Sequence, residues 1–113
     1  MAETPRTART LLFAPTSARV GEVVEVRATV QHTMETGYRQ GAGGQPLPRD
    51  LVRRVECHFD GVLVFGADLH AAVSANPYLV FFLRAQRSGL ITVTWRGDQG
   101  LLQTASRSLS VLA

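Results

Sequence analysis

Short segments of the chain alternate apolar and polar residues, which is the period of a β-strand with one buried face. The clearest segment follows Gly21, where the apolar residues at every second position are Val24, Val26, Ala28 and Val30. Similar patterns predict further strands over Leu11–Ala14, Val55–Phe59, Val62–Ala67 and Ile91–Trp95. No segment shows a convincing helical period, so the pattern predicts a protein built from strands.

Two more strands complete the prediction. Asp60-Gly61 is a typical two-residue hairpin turn between the strands on either side of it. Tyr78–Ala85 is apolar on both faces, which favours a central strand covered from two sides. Leu101–Leu112 forms the last predicted strand, broken near Ser106.

About seven short strands with frequent turns predict an all-β fold, an immunoglobulin-like antiparallel β-sandwich. A small closed barrel is the alternative. The 113 residues suit one domain over residues 1–113, in which we expect residues 1–8 to form a flexible N-terminus. Trp95 lies in a row of apolar positions and is predicted to be a core residue.

The order of the strands also predicts which loops are neighbours. If consecutive strands run antiparallel, alternate connections emerge at the same end of the sandwich. These connections are residues 32–50, 68–77 and 97–100. Long loops on a rigid scaffold commonly carry function, so this end is the first place to look for a site.

Composition and charge exclude several classes of protein. The chain is 45% apolar and 19% charged, with a net charge of +3, and all its basic residues are Arg. The Arg residues are scattered among acidic ones from Arg6 to Arg107, which argues against nucleic-acid binding. The longest purely apolar run, Tyr78–Leu83, is too short to cross a membrane, and Met1–Thr10 does not resemble an export signal.

The first long loop contains His32, Glu35, Tyr38 and Arg39, which are residue types capable of acid–base chemistry. The alternative is structural: Met34 and Tyr38 pack the loop down while Glu35 pairs with a nearby Arg. The glycine-rich residues 41–44 do not precede a helix and lack the Lys of a phosphate loop, so a nucleotide site is not expected.

Metal binding and nucleophilic catalysis have weaker support. Asp68, His70, Asp98 and His32 offer two carboxylates and two imidazoles at one end of the sandwich, but without the fixed short spacing of a metal site. Cys57 alternates with apolar neighbours and is predicted to be a small core residue. We therefore expect no cofactor, no metal and no enzymatic activity.

Several strings in the loops and strand ends resemble the SoxZ family of thiosulfate-oxidation proteins. In chain order these strings are His32–Gly37, Pro48–Asp50, Ala67–His70, Asn76–Leu79 and Thr94–Asp98. The resemblance runs from about Val20 to Gly100. Thr33 and Ala71 stand where the family usually has Pro, which loosens the loop backbone without removing a reactive group.

The resemblance implies a binding role. In that family an immunoglobulin-like Z subunit forms a heterodimer with a Y subunit, whose Gly-Gly-Cys-Gly-Gly arm holds sulfur intermediates while periplasmic enzymes act on them. The C-terminal residues 109–113 of this chain contain no cysteine, so it is similar to Z and not to Y. The resemblance implies a SoxY-like partner, transient contact with other Sox enzymes, and a periplasmic location reached by co-export with that partner.

Two surfaces are candidates for these contacts. The residues expected to shape a surface for the carrier arm or visiting enzymes are His32, Met34, Glu35, Tyr38, Arg39, Asp68 and His70. The competing hypothesis is that they brace the two long loops. Tyr78–Leu83 supplies more apolar surface than a small domain needs, which predicts an interface and self-association of the isolated chain. An unrelated adhesive or ligand-binding sandwich and a small metal or hydrolytic enzyme are the rival classes.

Overall fold

The computed structural model describes residues 8–113. The expected flexible N-terminus therefore lies outside the described residues except for Ala8, which packs against the core. The described part contains eight strands: β1 (Thr10–Phe13), β2 (Ser17–Arg19), β3 (Val23–Val30), β4 (Val52–Phe59), β5 (Val62–Asp68), β6 (Tyr78–Arg84), β7 (Gly89–Gly97) and β8 (Leu102–Leu112). A short 3₁₀ turn, Ala42–Gly44, lies in the first long loop.

The strands form two sheets that pack face to face. One sheet has three strands in the order β1-β3-β6, and the other has five in the order β2-β8-β7-β4-β5. All pairings are antiparallel except that of β2 with β8. The predicted immunoglobulin-like β-sandwich is confirmed, with one parallel pair at an edge. No helix within residues 8–113 has the length and apolar character needed to cross a membrane.

The core lies between the sheets, where the predicted alternation places it. In β3, Val24, Val26, Ala28 and Val30 are buried while the residues between them face outward. Ile91, Val93 and Trp95 of β7 are fully buried against them from the other sheet. Each buried side chain of this size contributes roughly 1.5 to 3 kcal/mol by leaving water, so these rows stabilise the sandwich.

Three predictions about strands differ from the structure. The sequence pattern does not predict β2, because only Ala18 of its three residues is buried and its partner, β8, lies far along the chain. β8 is continuous through Ser106, because that residue pairs with Thr92 of β7. Tyr78–Ala85 is predicted to be a central strand, but among the described strands β6 pairs only with β3 and lies at an edge. One backbone edge of β6 is therefore unpaired, and its outward face is also uncovered within the described residues, since Tyr78, Val80 and Phe82 are exposed.

The two sheets also make contact through their edge strands. The rings of Phe65 in β5 and Phe81 in β6 are stacked, with centroids 4.5 Å apart and planes 3° apart. β4 and β5 are joined by Asp60 and Gly61, both at positive φ as a tight hairpin of this kind requires. The predicted hairpin is confirmed.

Candidate functional site

The three loops predicted to be neighbours are joined by hydrogen bonds. His32 and Asn76 connect the first two loops: the Asn76 amide donates to the His32 carbonyl oxygen (2.6 Å), and the His32 amide donates to Asn76 Oδ1 (2.8 Å). At the other end of the first loop, the Leu51 amide donates to Asp98 Oδ2 (3.1 Å). The predicted convergence at one end of the sandwich is confirmed.

His32 is buried and organises the start of the first loop. Its Nδ1 accepts a hydrogen bond from the Met34 amide at 2.9 Å, and its Nε2 lies 3.4 Å from Asp50 Oδ1. Because Nδ1 accepts, a neutral ring carries its proton on Nε2, which faces the carboxylate. Both side chains are nearly inaccessible to solvent. His32 is thus held between Met34 and Asp50 inside the loop.

Met34 and Glu35 attach the same loop to the start of β4. Met34 is buried at a positive φ of 55°, and its Sδ accepts a hydrogen bond from the Val52 amide at 3.2 Å. Glu35 and Asp50 exchange two backbone hydrogen bonds, of 2.8 and 2.7 Å. These contacts hold the two ends of the first loop together, and Met34 packs that loop down as the structural alternative predicted.

The exposed part of the first loop carries Tyr38 and Arg39. The Glu35 carboxylate accepts two hydrogen bonds from the Arg39 guanidinium, the shorter at 3.0 Å. The pairing with Glu35 raises the pKa of Arg39 further above its ordinary value. Tyr38 does not pack against the loop, since 88% of its surface is exposed. A cation and an aromatic ring are thus available to a partner at this position.

Asp98 makes the polar contacts that join the third loop to the end of the first loop. From the sequence alone it was a candidate metal ligand. Its carboxylate accepts hydrogen bonds from the Leu51 amide and from Arg53 Nε (3.0 Å), and lies 3.6 Å from Arg49 Nε. Partial burial works to raise the pKa of Asp98, but these hydrogen bonds and the two Arg charges outweigh it, so the pKa lies below its ordinary value. The ionised Asp98 carboxylate therefore holds these segments together.

Asp68 and His70 lie where β5 ends and the second long loop begins. Asp68 ends β5 and accepts a hydrogen bond from Arg54 of β4 at 2.9 Å. His70 is exposed, and its carbonyl oxygen accepts a hydrogen bond from the Val73 amide. The hydrogen bonds that tie this loop to the first one run through Asn76. Between residues 8 and 113, no three His, Cys, Asp or Glu side chains are grouped so as to hold a metal ion.

Cys57 lies in the core, as predicted. Its side chain is fully buried between the sheets, and burial raises the pKa of the thiol to about 11. The nucleophilic form of cysteine is the thiolate, which is scarce at neutral pH when the pKa is this high. Cys57 is therefore an inert core residue.

Solved structures that resemble the chain define its class as an immunoglobulin-like β-sandwich. A superoxide reductase (neelaredoxin) from Ignicoccus hospitalis has a TM-score of 0.74 at 18% identity, covering 93% of this chain and 82% of that one. The sulfur carrier protein SoxY from Chlorobium limicola f thiosulfatophilum has a TM-score of 0.66 at 15% identity, covering 98% and 87%. At these identities the likeness concerns the fold alone.

The sequence match is more specific. Residues 13–108 match the family of the sulphur oxidation protein SoxZ, and the chain belongs to that family. Among curated proteins, none matched the sequence. The resemblance seen in the loop strings is confirmed, and family membership assigns the chain a role in the sulfur-oxidation (Sox) system.

Proposed function

We propose that this chain is the non-catalytic subunit of a two-chain sulfur carrier, in which a SoxY-like partner bears the cysteine that holds covalent sulfur intermediates. The observation that carries the proposal is the family match over residues 13–108. The environment of Cys57 supports it, because a fully buried thiol with a pKa of about 11 is unsuited to carrying sulfur. The sulfur-bearing group then has to come from the partner.

The proposal extends to where the complex works. The heterodimer reaches the periplasm by co-export with the partner, and the sulfur-processing enzymes visit it there. In this arrangement the present chain supplies a stable β-sandwich, and its loop end presents exposed groups to the carrier arm or to those enzymes. Those groups are Tyr38, Arg39 and His70, while His32 and Met34 keep the loop in shape from inside.

The partner can be identified by affinity purification. The tagged chain is expressed in its native bacterium during growth on thiosulfate, and the purified complex is analysed by mass spectrometry. We expect an equimolar second chain that ends in Gly-Gly-Cys-Gly-Gly. An unrelated immunoglobulin-like domain with the same tag serves as the control. Purification of the folded chain without any such partner would contradict the proposal.

The role of the loop end needs a separate experiment. We expect the double variant Arg39→Ala/His70→Ala to slow turnover of partner-bound sulfur by the Sox enzymes, while binding of the partner chain stays intact. Arg107→Ala is a matched control, because Arg107 is an exposed Arg of β8 outside the three loops. Turnover equal to that of the control would show that the loops only brace each other.

A further inference from the structure

The outer face of the three-stranded sheet carries exposed apolar side chains from all three strands, although it has no second layer within residues 8–113. An antiparallel sheet with one solvated face normally carries polar residues on that face. Here the outward apolar side chains are between 42% and 63% exposed. They are Leu11 and Phe13 of β1, Val23 of β3, and Tyr78, Val80 and Phe82 of β6. We call this set the β1-β3-β6 outer face.

The strand register places the apolar residues of β1 and β6 on either side of β3, on one face of the sheet. Phe13 lies opposite Arg27, and Arg27 lies opposite Val80 on its other side. One row further along, Leu11 and Tyr78 flank Thr29 in the same way. Directly opposed side chains on one face of a sheet are in contact range. The apolar residues of both edge strands therefore flank a narrow polar centre on β3.

The five-stranded sheet provides an internal comparison. Its outer face carries hydroxyl pairs between β7 and β8, in which Thr92 lies 3.1 Å from Ser106 and Thr94 lies 3.3 Å from Thr104. On β4, the ion pair of Arg54 with Glu56 continues this polar surface. Apolar side chains are exposed on the five-stranded sheet too, among them Leu63, Leu90 and Leu102. The exposed aromatic side chains on the described strands, Phe13, Tyr78 and Phe82, all lie on the β1-β3-β6 outer face, which argues that this face is covered in the working protein.

The size of the apolar face suits a stable protein interface. Phe13, Tyr78 and Phe82 are 58%, 55% and 63% exposed. With aromatic side chains of about 150–250 Å², they leave roughly 350 Å² of aromatic surface open to solvent. The exposed areas of the three aliphatic side chains and of the polar residues on β3 add to this aromatic area. The total approaches the area of about 800 Å² that each partner buries in a standard interface.

The charged residues around the β1-β3-β6 outer face indicate what kind of partner covers it. Arg9 borders the face beside Leu11, and Arg84 lies opposite Val23. Arg27 in the centre is paired with Glu25 at 3.0 Å, whereas Arg84 donates only to the Gly21 carbonyl oxygen among described residues. A second copy of this chain would bring two cationic faces together. A partner with an apolar sheet face bordered by carboxylates is complementary.

We propose that the β1-β3-β6 outer face is the surface on which the SoxY-like carrier chain docks. The inference rests on the proposed function and adds to it the side of the sandwich that the partner occupies. The partner's sheet covers the aromatic residues of β1 and β6, and carboxylates at its rim face Arg9 and Arg84. The three-loop end adjoins this face at Asn76, which lines one groove with Arg9 and Leu11.

The test measures binding of purified single-site variants to the purified SoxY-like chain of the same bacterium. Val80→Asp and Phe82→Asp place a carboxylate in the proposed contact, so we expect each to weaken binding by about 30-fold or more, as hot-spot substitutions do. Leu102→Asp is the matched control, because Leu102 is an exposed apolar residue, 45% accessible, on the outer face of the other sheet. It should change affinity less than about threefold.

Charge is tested separately with Arg84→Glu, which should weaken binding and flatten its dependence on salt concentration. Circular dichroism and thermal unfolding establish that each variant is folded. If the wild type binds the partner and all variants bind equally well, the docking surface is wrong and the proposed function stands. If the wild type does not bind the partner but forms a homodimer that Phe82→Asp disrupts, both proposals are overturned.

Discussion

Asp98 and Leu51 are joined by two reciprocal hydrogen bonds: the Leu51 amide donates to Asp98 Oδ2 (3.1 Å), and the Asp98 amide donates to the Leu51 carbonyl oxygen (2.8 Å). These two hydrogen bonds connect the turn after β7 to the junction between the first long loop and β4. The geometry of the loop end therefore depends on one carboxylate that two Arg residues keep charged.

Asp98→Asn should destabilise the protein at neutral pH by about 1 to 2 kcal/mol, because it removes charged hydrogen bonds. The pKa of Asp98 is lowered in the folded state. The contribution of Asp98 to the free energy of unfolding is therefore present above the ordinary pKa of 3.8. It is lost as the pH falls through the pKa of Asp98 in the folded state. Urea unfolding at a series of pH values from 7 to 3 should show a difference between wild type and variant that decreases as the pH is lowered below 3.8.

The matched control for that experiment is Asp68→Asn, which removes an exposed carboxylate that also pairs with an Arg. Exposed ion pairs contribute little to stability, so the change should be clearly smaller. Equal effects of the two substitutions at neutral pH would show that Asp98 has no special role in holding the loop end.

His32→Ala should destabilise the first loop. The variant leaves the buried Met34 amide without its acceptor, which costs about 1 to 3 kcal/mol, and removes the partner of Asp50. Hydrogen exchange of the backbone amides in residues 32–50 should become faster. His70→Ala, which changes an exposed side chain, is the control and should leave both unfolding and exchange unchanged.

Cys57 should make stability depend on pH in the alkaline range. Burial raises the pKa of this thiol from 9.0 to about 11, so the folded state keeps its proton longer than the unfolded chain does. The contribution of the protonated Cys57 thiol to the free energy of unfolding is complete below pH 9 and is lost as the pH rises through about 11. Cys57→Ala should lack this dependence, and the difference between the two unfolding free energies should therefore change from pH 8 to pH 11. A constant difference would contradict the burial of the thiol.

Trp95→Ala should lower the free energy of unfolding by about 3 to 5 kcal/mol, because it opens a large cavity between the sheets. The Trp95 Nε1 group has no hydrogen-bond partner among the described residues. Trp95→Phe should therefore cost less, since it keeps an aromatic ring and removes no hydrogen bond. Thermal and urea unfolding measure both variants. Similar losses in the two would show that ring packing is not the main contribution of Trp95.

Local alternation of apolar and polar residues determines most of the fold. The buried rows of β3 and β7 follow a period of two, and the same period in β4 predicts that Cys57 is a core residue. The Asp60-Gly61 hairpin and the convergence of three loops follow from turn chemistry and from the reversal of the chain at each connection. The loop strings are sufficient to indicate the family that the match over residues 13–108 confirms.

Tertiary structure decided the features that depend on distant segments. β2 exists because Ser17–Arg19 pairs with residues 110–112, a contact that three residues with one buried side chain do not encode locally. Asp98 became a brace because folding brings it to Leu51 and Arg53, 45 to 47 positions away. The position of β6 is the clearest case. Its apolar sequence is compatible with a central strand. Only the folded structure shows that β6 is an edge strand and that Tyr78, Val80 and Phe82 face outward. Hydrophobic periodicity reports that a face is apolar, but what covers that face depends on contacts that no local pattern contains.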